Sequence, residues 1–190
     1  MNIATRSIKE SVLLCFASDS GATLSEDRKF RYHLWRSWGD RENRCVFIGI
    51  NPSTADEYED DHTIRKCIGF ATRWGFGAID MVNLFAWRST DQLGLLKQLM
   101  PVGLDNDAFL HATCAHANRI VLAWGAGKNA AVRDLIRNRV PRVHDVVGEF
   151  VQKIGTLGRT AEDFPQHPLM LAYATKFKPE IKGARHAQGR

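Results

Sequence analysis

The run Cys45-Val46-Phe47-Ile48-Gly49-Ile50 is apolar throughout and shows no alternation. A strand wetted on one face alternates apolar and polar residues. A strand that does not is buried on both faces, as in a parallel sheet covered by helices. Asn51-Pro52-Ser53 follows at once, and the chain must turn there, because proline fixes its own φ and restricts the residue before it. Ala78 to Phe85 (AIDMVNLF) and Arg119 to Trp124 (RIVLAW) have the same character, and Val151 to Leu157 is a shorter candidate.

Helical patterns separate these runs. Ile64, Cys67, Ile68, Ala71 and Trp74 recur at the spacing of one buried helix face. They predict a helix from Thr63 to Trp74, with Asp61 as its N-cap and Gly75 and Gly77 as its stop. Further helices are expected around Gln92–Leu99, over Asp105–Ala117, and from Gly125 and Gly127 to about Arg139. Strands alternating with helices imply right-handed βαβ units. The expected fold is therefore α/β, a three-layer α/β/α domain around a central, mostly parallel four-stranded sheet. An N-terminal β-hairpin is expected over about 10–38, with Val12–Phe16 and Tyr32–Arg36 as its strands. Residues 1–175 read as a single domain and 176–190 as a basic, flexible tail.

A chain of 190 residues with 44% apolar and 25% charged residues fits one globular domain and excludes the disordered classes. The net charge of +5 favours an anionic partner. Much of it sits in Lys176, Lys178, Lys182, Arg185 and Arg190, and without that tail the domain is close to neutral. Cys15, Cys45, Cys67 and Cys114 form no C-x-x-C pair and read as buried, reduced thiols. No run is long enough for a membrane span and no leader-like segment opens the chain, so a cytoplasmic protein without a membrane partner is expected.

In such sheets ligands bind outside the carboxyl ends of the strands. Asn51 to Ser53, Asn83 to Arg88, Gly125 to Lys128 and the segment around His167 meet that description. Pro52 holds Asn51 in place, with Ser53 beside it. Asn83 interrupts an apolar strand and offers a donor beside an acceptor. Phe85, two residues on, belongs to the core or stacks on a flat ligand. Gly125-Ala126-Gly127-Lys128 can hold an anion at a helix N-terminus but lacks the spacing of a Walker A loop. His167 lies between Gln166 and Pro168 and can donate one hydrogen bond or two. Asp56, Glu57, Glu59, Asp60, Asp61 and His62 are dense enough to hold Mg²⁺, or form a solvated loop ending in an N-cap. No cofactor is implied.

RYHLWRSWG, FIGINPSTADEYEDDHTIRKCIGFATRWGFG, VNLFAWRST, GLDNDAFL, VLAWGA and FPQHPLML, in this order, resemble the bacterial and phage family called domain of unknown function 1643. That name implies no activity. GINPS, VNLFAWR, RIVLAWGAGKNA and QHPLML also resemble, more distantly, the uracil-DNA glycosylase superfamily. Ser53 stands where its mismatch-specific branch has Gly, and Leu169 where Ser usually follows His-Pro. This second resemblance implies a glycosylase-like fold and three roles. Asn51 would position a water, Asn83 would read the base edge, and His167 would stabilise charge on the departing base. Pro52, Ser53, Phe85, Arg88, Gly125 and Lys128 would surround the ligand.

Three readings of function stand open. The first is an enzyme that hydrolyses an N-glycosidic bond of a nucleobase in nucleic acid, DNA included, or in a nucleotide. The second is a non-catalytic module that holds a nucleotide or modified base. The third is a metal-assisted enzyme using Asp56 to Asp61. The oligomeric state is not determined by the sequence.

Overall fold

The computed structural model describes residues 7–180. Helix α1 (Ile8–Ala17) leads into strands β1 (Ser20–Leu24), β2 (Arg31–Ser37) and β3 (Arg44–Gly49). Helix α2 (His62–Arg73), strand β4 (Ala78–Asn83), the single turn α3 (Leu93–Leu96) and helix α4 (Asn106–Ala115) follow. Strand β5 (Arg119–Leu122), helix α5 (Ala130–Val147), strand β6 (Ile154–Thr156) and strand β7 (Lys178–Pro179) complete the chain.

Among the described residues the sheet has seven strands in the order β1-β2-β4-β3-β5-β6-β7, not the four expected. β3 runs parallel to both β4 and β5, and β5 parallel to β6. β2 pairs antiparallel with β4, and β7 antiparallel with β6, so the sheet is mixed. Every residue of β3 is buried, as its unbroken apolar run required. Phe47 and Ile48 are wholly enclosed, and each such side chain contributes about 1.5–3 kcal/mol. α2 covers one face of the sheet over Phe47, Met81 and Val121. α4 and α5 cover the other over Val46, Val82 and Ile120.

Three expectations are corrected. Val12–Phe16 is helix, not strand: Ser7 and Glu10 form a capping box, with Ser7 Oγ accepting from Glu10 N–H and the Glu10 carboxylate from Ser7 N–H. The hairpin is β1–β2, and β2 is no appendage, because it pairs on both sides and extends the main sheet. α5 begins at Ala130 rather than at Gly125, and runs through Pro141 to Val147. At the other end, Lys178–Pro179 pairs with β6, so the chain joins the sheet within the expected tail. Residues 181–190 of that tail lie outside the described residues.

All four cysteines are buried and free. Burial pushes their thiol pKa values up, which leaves them protonated and unreactive. Among the described residues no helix is long and apolar enough to cross a membrane.

The connection from β3 to β4 carries α2 on one face, and the connection from β5 to β6 carries α5 on the other. The carboxyl ends of β3 and β5 therefore bound a topological switch point, where the connecting loops part and leave a crevice.

Candidate functional site

A cavity of about 50 Å³ occupies this crevice. Arg31, Asn51, Asp61, Asn83, His167 and Pro168 line it, brought together from β2, the loop after β3, the start of α2, the end of β4 and the loop after β6. On the scale of about 10–15 Å³ per enclosed water, it holds three or four waters, roughly the bulk of one six-membered ring.

Asn51 is clamped by its amide. Its Nδ2 donates to Pro52 O at 3.0 Å and to Ser89 O at 2.8 Å. Two carbonyl acceptors leave no doubt which end is nitrogen, and Oδ1 remains as an acceptor. Ser89 N–H returns a bond to Pro52 O at 2.9 Å, so the Asn-Pro-Ser turn is stitched to the loop after β4.

Asn83 closes β4 and is 2% exposed. Its Nδ2 is buried and finds no partner. Its Oδ1 lies over Gly49, where a Cβ would come within 2.8 Å. Glycine at position 49 thus makes room for the amide. A buried amide nitrogen without an acceptor costs about 1–3 kcal/mol, and such groups are rare enough to need a reason.

His167 opens a short 3-10 turn and its Nδ1 accepts from Leu169 N–H at 3.3 Å. The neutral ring therefore carries its proton on Nε2 and is a donor. Burial lowers its pKa below the ordinary 6.5, and the charge of Asp61 opposes that shift only in part. Gly125 adopts a φ of +73°, donates to Pro165 O and lies against the His167 side chain. The end of β5 thereby fixes the histidine loop.

Asp61 caps α2 as expected, its Oδ1 accepting from Ile64 N–H at 2.9 Å. It also faces the cavity, which the capping signal does not reveal. Arg31 is missed altogether by sequence reasoning. It opens β2, is 2% exposed, and donates to Ala55 O at 2.7 Å, while its Nε has no partner. The only signal is a cation at the start of a strand, which ordinarily marks a solvent-facing position.

A second, open groove of about 500 Å³ adjoins the cavity at Ser53. Arg28, Lys29, Trp87 and Arg88 line it. Arg28 is paired bidentately with Glu57 and Lys29 with Asp27. The Arg88 guanidinium donates to the carbonyls of Arg28 and Thr54, at 3.3 and 3.4 Å, and enters no ion pair among the described residues.

Other candidates lie elsewhere. Phe85 is 1% exposed within the core cluster under α4 and α5, and lines neither cavity nor groove. Lys128 pairs with Asp91 at the surface. The Gly125–Lys128 stretch does not open a helix, since Asn129 caps α5 through its own side chain. The acidic loop is held by arginines: Glu57 by Arg28, Asp60 by Arg36. Asp56 Oδ1 accepts from the backbone of Tyr58 and Glu59. Among the described residues no three His, Cys, Asp or Glu side chains gather as metal ligands. The metal-assisted reading loses its support, because Asp56, Glu57, Asp60 and Asp61 are engaged in holding the loop or capping α2.

The fold and the site define an α/β domain with a donor-rich cavity at its switch point. The chain belongs to the family described as "Protein of unknown function (DUF1643)", whose model matches residues 31–169. Arg31 through Pro168, the full span of the cavity lining, lies within that match. No curated protein and no solved structure gives a significant match. The family match reaches the first of the two resemblances seen in the sequence and not the second.

Proposed function

We propose that the cavity binds a single-ring nucleobase and that the protein hydrolyses its N-glycosidic bond. The observation that carries this reading is that Asn51, Asn83 and His167 line one cavity while, among the described residues, no partner takes up Asn51 Oδ1, Asn83 Nδ2 or His167 Nε2–H. Such a cleavage breaks the carbon–nitrogen bond with both electrons leaving on the base. Positive charge grows on the sugar and negative charge on the base, and water then bonds to the sugar carbon and releases a proton. Asn51 Oδ1 would orient that water, which in a dissociative reaction needs placement more than basicity. Asn83 would read the base edge. His167 would donate to a base oxygen as its charge develops. The sugar and its phosphate would lie along the neighbouring groove against Arg88. A nucleotide and a nucleic-acid strand both fit this arrangement, and DNA carrying a modified pyrimidine is the first substrate to test.

Single-turnover cleavage of uracil- and hydroxymethyluracil-containing oligonucleotides, with hypoxanthine as a two-ring comparator that should not be cleaved, tests the proposal beside equilibrium binding. His167→Ala should slow cleavage by roughly two to three powers of ten, the scale of losing one such donor, while affinity changes far less. Activity should also fall as pH drops through the lowered His167 pKa, because the protonated ring can no longer accept from Leu169 N–H. If no base offered is cleaved and the variants lose affinity alike, the protein is a nucleobase-binding module instead.

A further inference from the structure

Arg31 is the least explained group in the molecule. Its guanidinium is buried, keeps one acceptor in Ala55 O, and leaves Nε without a partner. Burial lowers its pKa to about 10, so it is still charged at neutral pH. Among the described residues it enters no ion pair. Asp61 supplies a carboxylate to the same cavity, but its Oδ1 is committed to the α2 cap, and its charge reaches Arg31 only as a longer-range field. A buried cation without a counter-ion is costly, and a bound anion would relieve it.

The rest of the lining points the same way. Asn83 Nδ2 is a second buried donor without an acceptor, and His167 Nε2–H is a third whose proton no described residue takes. The lining thus sets three donors and the Arg31 charge against the single carboxylate of Asp61, half of it committed to the α2 cap, around a space the size of one ring. We infer that the cavity takes a planar single-ring ligand that is anionic at its buried edge, a ring enolate or ring carboxylate, and that Arg31 selects it over neutral amino-bearing rings. The guanidinium fork can meet two coplanar oxygens at once, whereas a ring amino group would set donor against donor. This inference shares the cavity of the proposed function but does not require cleavage.

The test is calorimetric titration of the full chain with barbiturate, orotate, uracil, cytosine and inorganic phosphate at neutral pH. Barbiturate or orotate should bind about tenfold or more tightly than uracil and cytosine, the order of a charge-assisted hydrogen bond over a neutral one. Whichever ring anion binds identifies the source of the charge, a ring enolate for barbiturate or a carboxylate for orotate. Arg31→Gln should erase the preference, and Arg31→Lys, which keeps the charge without the fork, should retain part of it. Equal affinity for charged and neutral rings in the unaltered protein would overturn the inference, as would phosphate competing as well as the ring anions. A preference that survives in folded Arg31→Gln, checked by circular dichroism, would also overturn it. Should that variant not fold, the ranking on the unaltered protein still decides. Anion preference without any cleavage would remove the catalytic proposal and leave this one standing.

Discussion

Two buried arginines lie in neighbouring parts of the same sheet and could hardly differ more in their company. Arg44 Nε donates to Asp80 Oδ2 at 2.6 Å and its Nη2 to Asp80 Oδ1 at 2.8 Å. Its remaining protons reach the carbonyls of Arg41, Cys15 and Ile79. His33 Nε2 meets Asp80 Oδ1 at 2.7 Å and completes the cluster. Arg31 has one carbonyl and a free Nε. Arg44 is saturated and ties β2, β3 and β4 together through Asp80, although His33 Nδ1 in the same cluster finds no partner. Arg31 holds its bonding capacity in reserve. Burial alone does not separate the two arginines; what does is an unmet donor on a residue that faces a cavity.

The largest effect expected from this contrast is on Asp80. Asp80→Ala strands Arg44 without its counter-ion and should cost about 3–5 kcal/mol, read from urea midpoints. Arg31→Gln, which removes a charge that has no counter-ion, should cost far less, and equal losses would break the comparison. Burial would push the Asp80 carboxyl up, but His33 and Arg44 together more than reverse this and hold it below the ordinary 3.8. A carboxyl so depressed stabilises the fold above that value, and the stabilisation is lost as pH falls through the lower, folded one. The unaltered protein should therefore show a steep loss of stability below about pH 3.8 that is shallower in Asp80→Ala.

The next effect sets two asparagines against each other. Asn106 Nδ2 donates to the carbonyls of Asn83 and Leu84 at 3.0 and 3.1 Å. Asn106→Leu takes a donor from both and should cost about 1–3 kcal/mol in the same urea titration. Smaller again is Asp61→Ala, which removes the α2 cap and should cost about 1 kcal/mol of thermal stability. The smallest is Asn83→Leu. Its amide nitrogen has no partner to lose, so the change should cost less than about 0.5 kcal/mol, or stabilise the fold by relieving the unmet donor, while ligand affinity collapses. A large loss of stability in Asn83→Leu would assign that amide to the architecture and end its candidacy as a ligand contact.

The apolar runs of β3, β4 and β5 were legible because a strand buried on both faces has nothing polar to show. The α2 face and its Asp61 cap were legible because both signals are local. The capping box of Ser7 and Glu10 is equally local, but the expectation of a strand rested on the short apolar stretch Val12–Phe16 alone. β1, β7 and the inner position of β2 left no comparable mark. Their place in the sheet depends on which edges are free to pair, and that is settled between strands distant in sequence.

The sequence by itself determined the layers: periodicity of 3.6 and unbroken apolar runs leave few ways to bury so much apolar surface. It also pointed to Asn51, Asn83 and His167 as residues at strand ends. Only the tertiary structure decided which hydrogen-bonding groups go unmet. It satisfied Arg44 and left Arg31 bare, turned the Asn51 nitrogen onto Pro52 and Ser89, and left the Asn83 nitrogen with nothing. The reason is physical. A hydrogen bond is a relation between two groups, and a residue's type fixes what it can donate or accept, but only the packed chain fixes what stands opposite.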